Sequence, residues 1–226
     1  MDHRRAIVGR MNTPRSTVRR MPARARYDAE TVHAILDEAL IVHVGFVQAG
    51  QPFVIPTIHG RRGDTLYLHG AVASRMLKVL AEGLPVCATA TLVDGLVFAR
   101  SAFHHSMNYR SVVVFGVARV VTDAEEKRVA LEAIVEHVAL GRSAEVRAPN
   151  EKELGATTVL ALAIDEASAK VRTGGPIDDA EDHAWPVWAG VLPLSVVPTA
   201  PLDDSAVPPG ATPSDVVSKW RRPSRP

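Results

Sequence analysis

A small antiparallel β barrel with helices at its ends is the fold this sequence predicts. Short, apolar, β-branched runs recur between turn signals, while helical periodicity appears in only a few places. Asp94-Gly95, set between two such runs, adds a hairpin signal because glycine accepts positive φ. A doubly wound parallel sheet would need a crossover helix after nearly every strand, and the helical stretches are too few for that.

In chain order, Asp28 can cap a helix that carries Val32, Ile35, Leu36, Ala39 and Leu40 on one face. Strands are expected over 41–47, over 53–59 after a turn at 48–51, and over 65–69 after a turn at 61–64. A helix over 74–82 interrupts them. Strands over 86–93 and 96–100 flank the hairpin signal, and 109–121 reads as one long β-branched strand. Asp123, with Glu126 three positions later as in a capping box, opens a helix that ends by Gly141. Two further strands are expected over 157–164 and 168–172.

The 226 residues suffice for one good core with tails, or for two small domains. Hydrophobic residues at 46% and charged residues at 23% are the proportions of a globular protein. No apolar run approaches the roughly 20 residues of a membrane span, and no apolar leader is expected. Cys87 is the single cysteine, so an internal disulfide is impossible and a cytoplasmic location is expected.

The net charge of +1 hides an asymmetry. Residues 1–26 carry eight arginines against Asp2 alone, and read as a mobile arm. The body, 27–197, has 14 basic and 21 acidic residues. An acidic body is a poor general binder of nucleic acid, so no nucleic-acid partner is expected. From 198 to 226 proline, serine and glycine dominate, and the tail reads as disordered.

Several catalytic signatures are absent: G-x-S-x-G, Walker A, G-x-G-x-x-G and H-E-x-x-H. The nine histidines lack metal-site spacing, so no metal site is expected. Adjacent His104 and His105 would point to opposite faces of an extended chain, and His43, His59 and His69 could meet only through the fold.

Two stretches carry more chemistry. YLHGAVASRMLKVL, at 67–80, runs from an apolar strand ending in His69-Gly70, through a small-residue turn, into a helix opened by Ser74-Arg75. The first N–H groups of a helix have no internal partner and the dipole favours an anion there. Ser74 adds a capping hydroxyl, Arg75 a planar fork of donors, and Lys78 further charge. The alternative is an ordinary capped helix with solvated basic residues. The second stretch, 104–116, gathers polar side chains ahead of an apolar strand; Arg110 and Ser111 lie on opposite faces, so one of them can point at a cofactor. A polar loop rim is its plain alternative.

Together these residues resemble the pyridoxamine 5′-phosphate oxidase-related, flavin-binding split-barrel family, in particular its flavin-nucleotide-binding branch with the nitroimidazole-resistance proteins. The resemblance covers about 13–194. Its matching stretches are TPRSTVRR at 13–20, VGF at 44–46, QPFVIPT at 51–57, LYLHG at 66–70, Ser74-Arg75, NYRSV at 108–112, SAKVR at 168–172 and VWAG at 187–190. What the resemblance implies is a homodimer of six-stranded antiparallel split β-barrels, mainly β with flanking helices, with FMN at the subunit interface. It implies that Val54, Ile55, Pro56, Thr57 and Ile58 lie along the flavin ring and ribityl chain. His69, Gly70, Ser74, Arg75 and Lys78 match the phosphate site, Arg110 and Ser111 a cofactor-approaching segment, and Lys170 and Trp188 the C-terminal part of the pocket. The sequence departs from relatives at Met76, where a second basic residue is common, and it lacks the Arg-x-His substrate signature near its C-terminus. That second departure argues against vitamin B6 oxidation.

The function expected from this resemblance is that of an FMN-dependent oxidoreductase acting on a small molecule. Two alternatives share the pocket. One is an F420-dependent reductase, whose acidic cofactor tail would meet Arg61, Arg62 and the arm. The other is a flavin carrier without turnover, since no general acid or base is forced by the sequence, although His69 and Tyr109 are candidates. Heme binding through a histidine is a fourth reading.

Overall fold

The computed structural model describes residues 11–222, so the first ten residues of the arm and the last four of the tail lie outside the described residues. The chain opens with β1 (Ala25–Arg26), α1 (Ala29–Glu38), β2 (Val42–Gln48), β3 (Gln51–Thr57), β4 (His59–Arg62) and β5 (Thr65–Ala71). There follow α2 (Arg75–Ala81), β6 (Pro85–Phe98), β7 (Ser106–Val117), β8 (Arg119–Val120) and α3 (Ala124–Val138). The last elements are α4 (Glu151–Ala156), β9 (Thr157–Ala163), β10 (Glu166–Arg172), β11 (Gly190–Pro193) and α5 (Asp215–Ser218).

The strands form two antiparallel sheets. The larger runs β1-β10-β7-β6-β2-β3 with β11 along β6, and the smaller runs β4-β5-β9-β8. The expected six-stranded split barrel with flanking helices appears as two antiparallel sheets that do not close, an arrangement consistent with a split-barrel fold. The main core lies between the sheets. Val44, Leu68, Ala88, Val114 and Leu160 are buried there, with Ile35 and Leu36 of α1 and Leu77 and Leu80 of α2 closing its ends. A second cluster packs α3 on the other face of the small sheet, through Tyr67, Ala130, Ile134 and Val159.

Local chemistry explains the helix starts. The Asp28 side chain accepts from Thr31 N–H at 2.8 Å. The Asp123 carboxylate accepts from Glu126 N–H at 2.7 Å, as expected. Glu126 does not return the bond, because Arg119 and Tyr67 occupy its carboxylate. The reciprocal capping box belongs instead to Asn150 and Glu153, at the start of α4.

The structure corrects three strand expectations. The stretch 53–59 is cut at Ile58, where the chain leaves one sheet for the other. Beyond that corner His59 is fully buried and its Nε2–H donates to the Leu36 carbonyl at 2.9 Å, which holds the chain against α1 rather than along β3. The stretch 109–121 is cut at Ala118 in the same way. Finally, Asp94-Gly95 is no hairpin. β6 runs through it against β7, and the register shifts between Val93 and Gly95, which makes Asp94 a bulge. The bulge aims the Asp94 carboxylate at Arg110, at 2.9 Å from Nε and 2.6 Å from Nη2. β11 presses on the same spot, since a Cβ on Gly95 would lie 3.1 Å from the Leu192 carbonyl.

The two ends of the described stretch are held by contacts. Met11 is buried in the main core, Arg15 pairs with Glu166, and β1 extends the large sheet through β10. At the other end Trp220 Nε1–H donates to the Val138 carbonyl at 2.8 Å. Among the described residues, no helix is long and apolar enough to cross a membrane.

Candidate functional site

Ser74 and Arg75 lie where the sequence motif put them, at the start of α2. The Ser74 hydroxyl oxygen accepts weakly from Leu77 N–H at 3.5 Å, and the small turn before it is closed by Ser74 N–H donating to the Ala71 carbonyl at 2.8 Å. Arg75 is exposed, and its guanidinium carbon stands 4.3 Å over the ring of Phe53, a residue of β3. That cation–π contact joins the α2 corner to the strand of the QPFVIPT motif. No carboxylate pairs with Arg75 among the described residues. Lys78 is exposed one turn on, while Met76 is buried in the core, so the position after Arg75 faces inward and a basic side chain there would lose its hydration.

β3 forms the outer edge of the large sheet, so one side of its backbone has no strand partner. Phe53 and Ile55 pack towards the core, whereas Val54 and Pro56 point outward, as period-two alternation requires. Thr57 is half-buried at the strand end and Ile58 is exposed at the corner. On the outward face Val54 stands opposite Gly45, Gly45 opposite Cys87, and Cys87 opposite Phe115. Ser111 and Lys170 are cross-strand partners, with Thr91 on the far side of Ser111.

Arg110 points to the opposite face. Its guanidinium makes four bonds, two to Glu38 and two to Asp94, and only 13% of the side chain is exposed. These bonds raise its pKa further and leave little donor capacity for a ligand. Trp188 sits near the far end of β6, with its ring 5.9 Å from that of Phe98. The structure thus joins β3 to Ser74-Arg75, but no described contact links Arg110 or Trp188 to that corner.

β5 separates His69 from Gly70. Gly70 faces α2, where an added Cβ would lie 3.0 Å from Leu77. His69 faces the other way and lines a cavity of about 800 Å³ between the small sheet, α3 and the segment 142–149, while Tyr67, on the same face of β5, packs in the α3 cluster. Leu131, Ile134, Val135, Val146 and Pro149 give it apolar walls, with Arg128 and Arg147 among the remaining lining residues. The Nδ1 of His69 is buried without a hydrogen-bond partner, and burial lowers the pKa of the ring, so it is neutral near pH 7. The other histidines do not join it. The rings of His59 and His137 lie 4.1 Å apart and tilted, and His43 lies exposed on the large sheet.

Sequence reasoning missed this cavity, because its walls come from stretches far apart in the chain. One signal was present. Helix α3 carries Leu131 and Val135 beside its sheet-facing Ala130 and Ile134, an apolar stripe wider than the sheet contact alone requires.

The pyridoxamine 5′-phosphate oxidase family matches residues 28–171. Among solved structures, the flavocytochrome Anf3 from Azotobacter vinelandii is 42% identical, with a TM-score of 0.86 over 92% of this chain and 97% of that one. A FAD and heme binding protein from Mycobacterium smegmatis is 40% identical, with a TM-score of 0.83 over 87% of this chain and 96% of that one. A protein from Bacteroides thetaiotaomicron named for 5-nitroimidazole antibiotic resistance is 26% identical, with a TM-score of 0.56 over 65% and 86%. No curated protein matches.

Proposed function

The chain belongs to the pyridoxamine 5′-phosphate oxidase family, and from that premise we propose that it is an electron-transferring oxidoreductase holding a flavin at the β3–α2 corner and a heme beside α3. The observation that carries this reading is the end-to-end similarity to two proteins named for flavin and heme together. Bound flavin and heme supply the redox chemistry, and the protein supplies binding, orientation and access.

For the flavin, Ser74 and Arg75 would meet the phosphate, with Lys78 adding charge one turn on. The fit rests on Arg75, which is exposed, unpaired with any carboxylate among the described residues and steadied over Phe53. The edge of β3 from Val54 to Ile58 offers unpaired backbone groups to the polar rim of the ring, while Pro52 and Pro56 contribute carbonyls but no N–H. FMN and FAD share the ring, ribityl chain and first phosphate, so this corner suits either. The name of the M. smegmatis relative favours FAD, and the sequence resemblance favours FMN. F420 is less well served. Arg61, expected to meet its tail, is bound to Asp37 and donates to the Gly63 carbonyl at 2.7 Å. The proposed assembly is a homodimer across the outward face of the large sheet, which the Val54–Gly45–Cys87–Phe115 row crosses.

The test is the visible spectrum of the purified full chain, with chromatography of the released flavin. A bound flavin is expected, and Arg75→Ala should weaken its binding by about 10–100-fold, the worth of a charged hydrogen bond. A colourless protein with no thermal shift in FAD or FMN overturns the flavin reading. Reduction by NAD(P)H and passage of electrons to quinones or nitro compounds then separates an oxidoreductase from a carrier.

A further inference from the structure

The cavity beside α3 has the size, walls and rim of a site for a large flat apolar ligand carrying carboxylates. Its volume of about 800 Å³ lies within the roughly 300–1,000 Å³ typical of cofactor pockets. Three residues of α3, Leu131, Ile134 and Val135, form one apolar wall, and Val146 and Pro149 form the facing one. Heme iron takes its protein ligand from histidine, cysteine, methionine or tyrosine, and among the described residues lining the cavity His69 is the only one of these. Among the described residues, nothing hydrogen-bonds to that ring. Its Nδ1 is buried without a partner, and no described group bonds to the other nitrogen.

We infer that His69 is this chain's ligand to the heme iron, and that Arg128 and Arg147 hold the heme propionates. The inference rests on the flavocytochrome reading above and assigns residues to it. Both arginines already grip carboxylates at this rim. Arg128 pairs with Glu151, and Arg147 pairs with Glu153, its Nη1–H donating at 2.8 Å. These pairs are solvent-exposed, and exposed pairs contribute only about 0–1 kcal/mol, so exchanging a glutamate for a propionate costs little. The placement also orders the two cofactors. Period-two alternation along β5 sends His69 into this cavity and Gly70 towards α2, so one strand stands between the heme and the flavin corner.

The test titrates hemin into the full chain and into His69→Ala, Arg147→Gln and His69→Met, reading the Soret band, the electron paramagnetic resonance spectrum and the flavin content. The wild type should give a saturable histidine-type spectrum. His69→Ala should lose it, keep its flavin, and regain a histidine-like spectrum on addition of free imidazole. Arg147→Gln should bind hemin about tenfold more weakly with the Soret band unmoved. A His69→Ala protein that retains flavin and shows the wild-type heme spectrum overturns the assignment while leaving the flavocytochrome reading standing. A folded wild type that takes up no hemin overturns both. Should His69→Ala fail to fold, His69→Met decides: a changed iron spectrum supports the ligand, and an unchanged one refutes it.

Discussion

Gly60 is where a strand touches the backbone of a helix. A Cβ built on it would lie 2.7 Å from Ile134 N and 2.8 Å from the Ala133 carbonyl carbon, and neither backbone atom can swing aside. Gly60→Ala must push α3 off β4, and overpacking of this kind costs about 1–3 kcal/mol. Urea unfolding should show that loss as a lower midpoint with an unchanged slope, and a midpoint equal to wild type would mean that α3 is not seated as described. Single residues also decide what the motifs mean. Arg110 belongs to a motif that suggested a cofactor contact, yet it holds α1 to the β6 bulge through Glu38 and Asp94. The residue types were readable from sequence, but the carboxylates facing them come from 16 and 72 positions away.

Two histidines, His59 buried and His137 half-buried, tie three elements together. His59 of β4 donates to the Leu36 carbonyl of α1, and His137, in the last turn of α3, donates to the Ala39 carbonyl at 2.8 Å. Burial and the neighbouring His137 lower the pKa of His59 to about 4, and burial lowers that of His137 as well. A histidine depressed in the folded state takes up its proton more readily when unfolded. Its contribution is therefore whole above the ordinary value near 6.5 and is lost as pH falls from 6.5 towards 4. For His59 alone the loss reaches about 3 kcal/mol. Unfolding free energy measured by urea should fall between pH 6.5 and 5, above the carboxylate range, and His59→Asn should flatten that fall. A wild-type profile flat over this interval would contradict the burial of the pair. At this scale the sequence reading was strong on which segments are strands and helices, since periodicity and caps act within a few residues. It failed at Ile58, Ala118 and Asp94, where partners distant in the chain set the strand boundary or register.

For the whole molecule, the outward face of the large sheet carries the proposed dimer. Val54, 64% exposed in the single chain, lies in the row that would meet the second copy. Light scattering should give twice the chain mass for the wild type, and Val54→Glu should shift it towards the monomer by burying an unpaired charge at the interface. A wild-type monomer at micromolar concentration would overturn the dimer. The amino-acid sequence by itself determined the mainly antiparallel β class, the caps at Asp28 and Asp123, and the opening of α2 at Ser74-Arg75. Each of these depends on interactions within one turn or one strand, or on a motif contiguous in the chain. Only the tertiary structure decided how the strands divide between two unclosed sheets, that Arg110 is consumed by ion pairs, and that His69 turns from the Ser74-Arg75 corner into a cavity roofed by α3 and the 142–149 segment. The cavity is formed by residues as far apart as His69 and Thr157, and no local pattern encodes a space that exists only between packed elements.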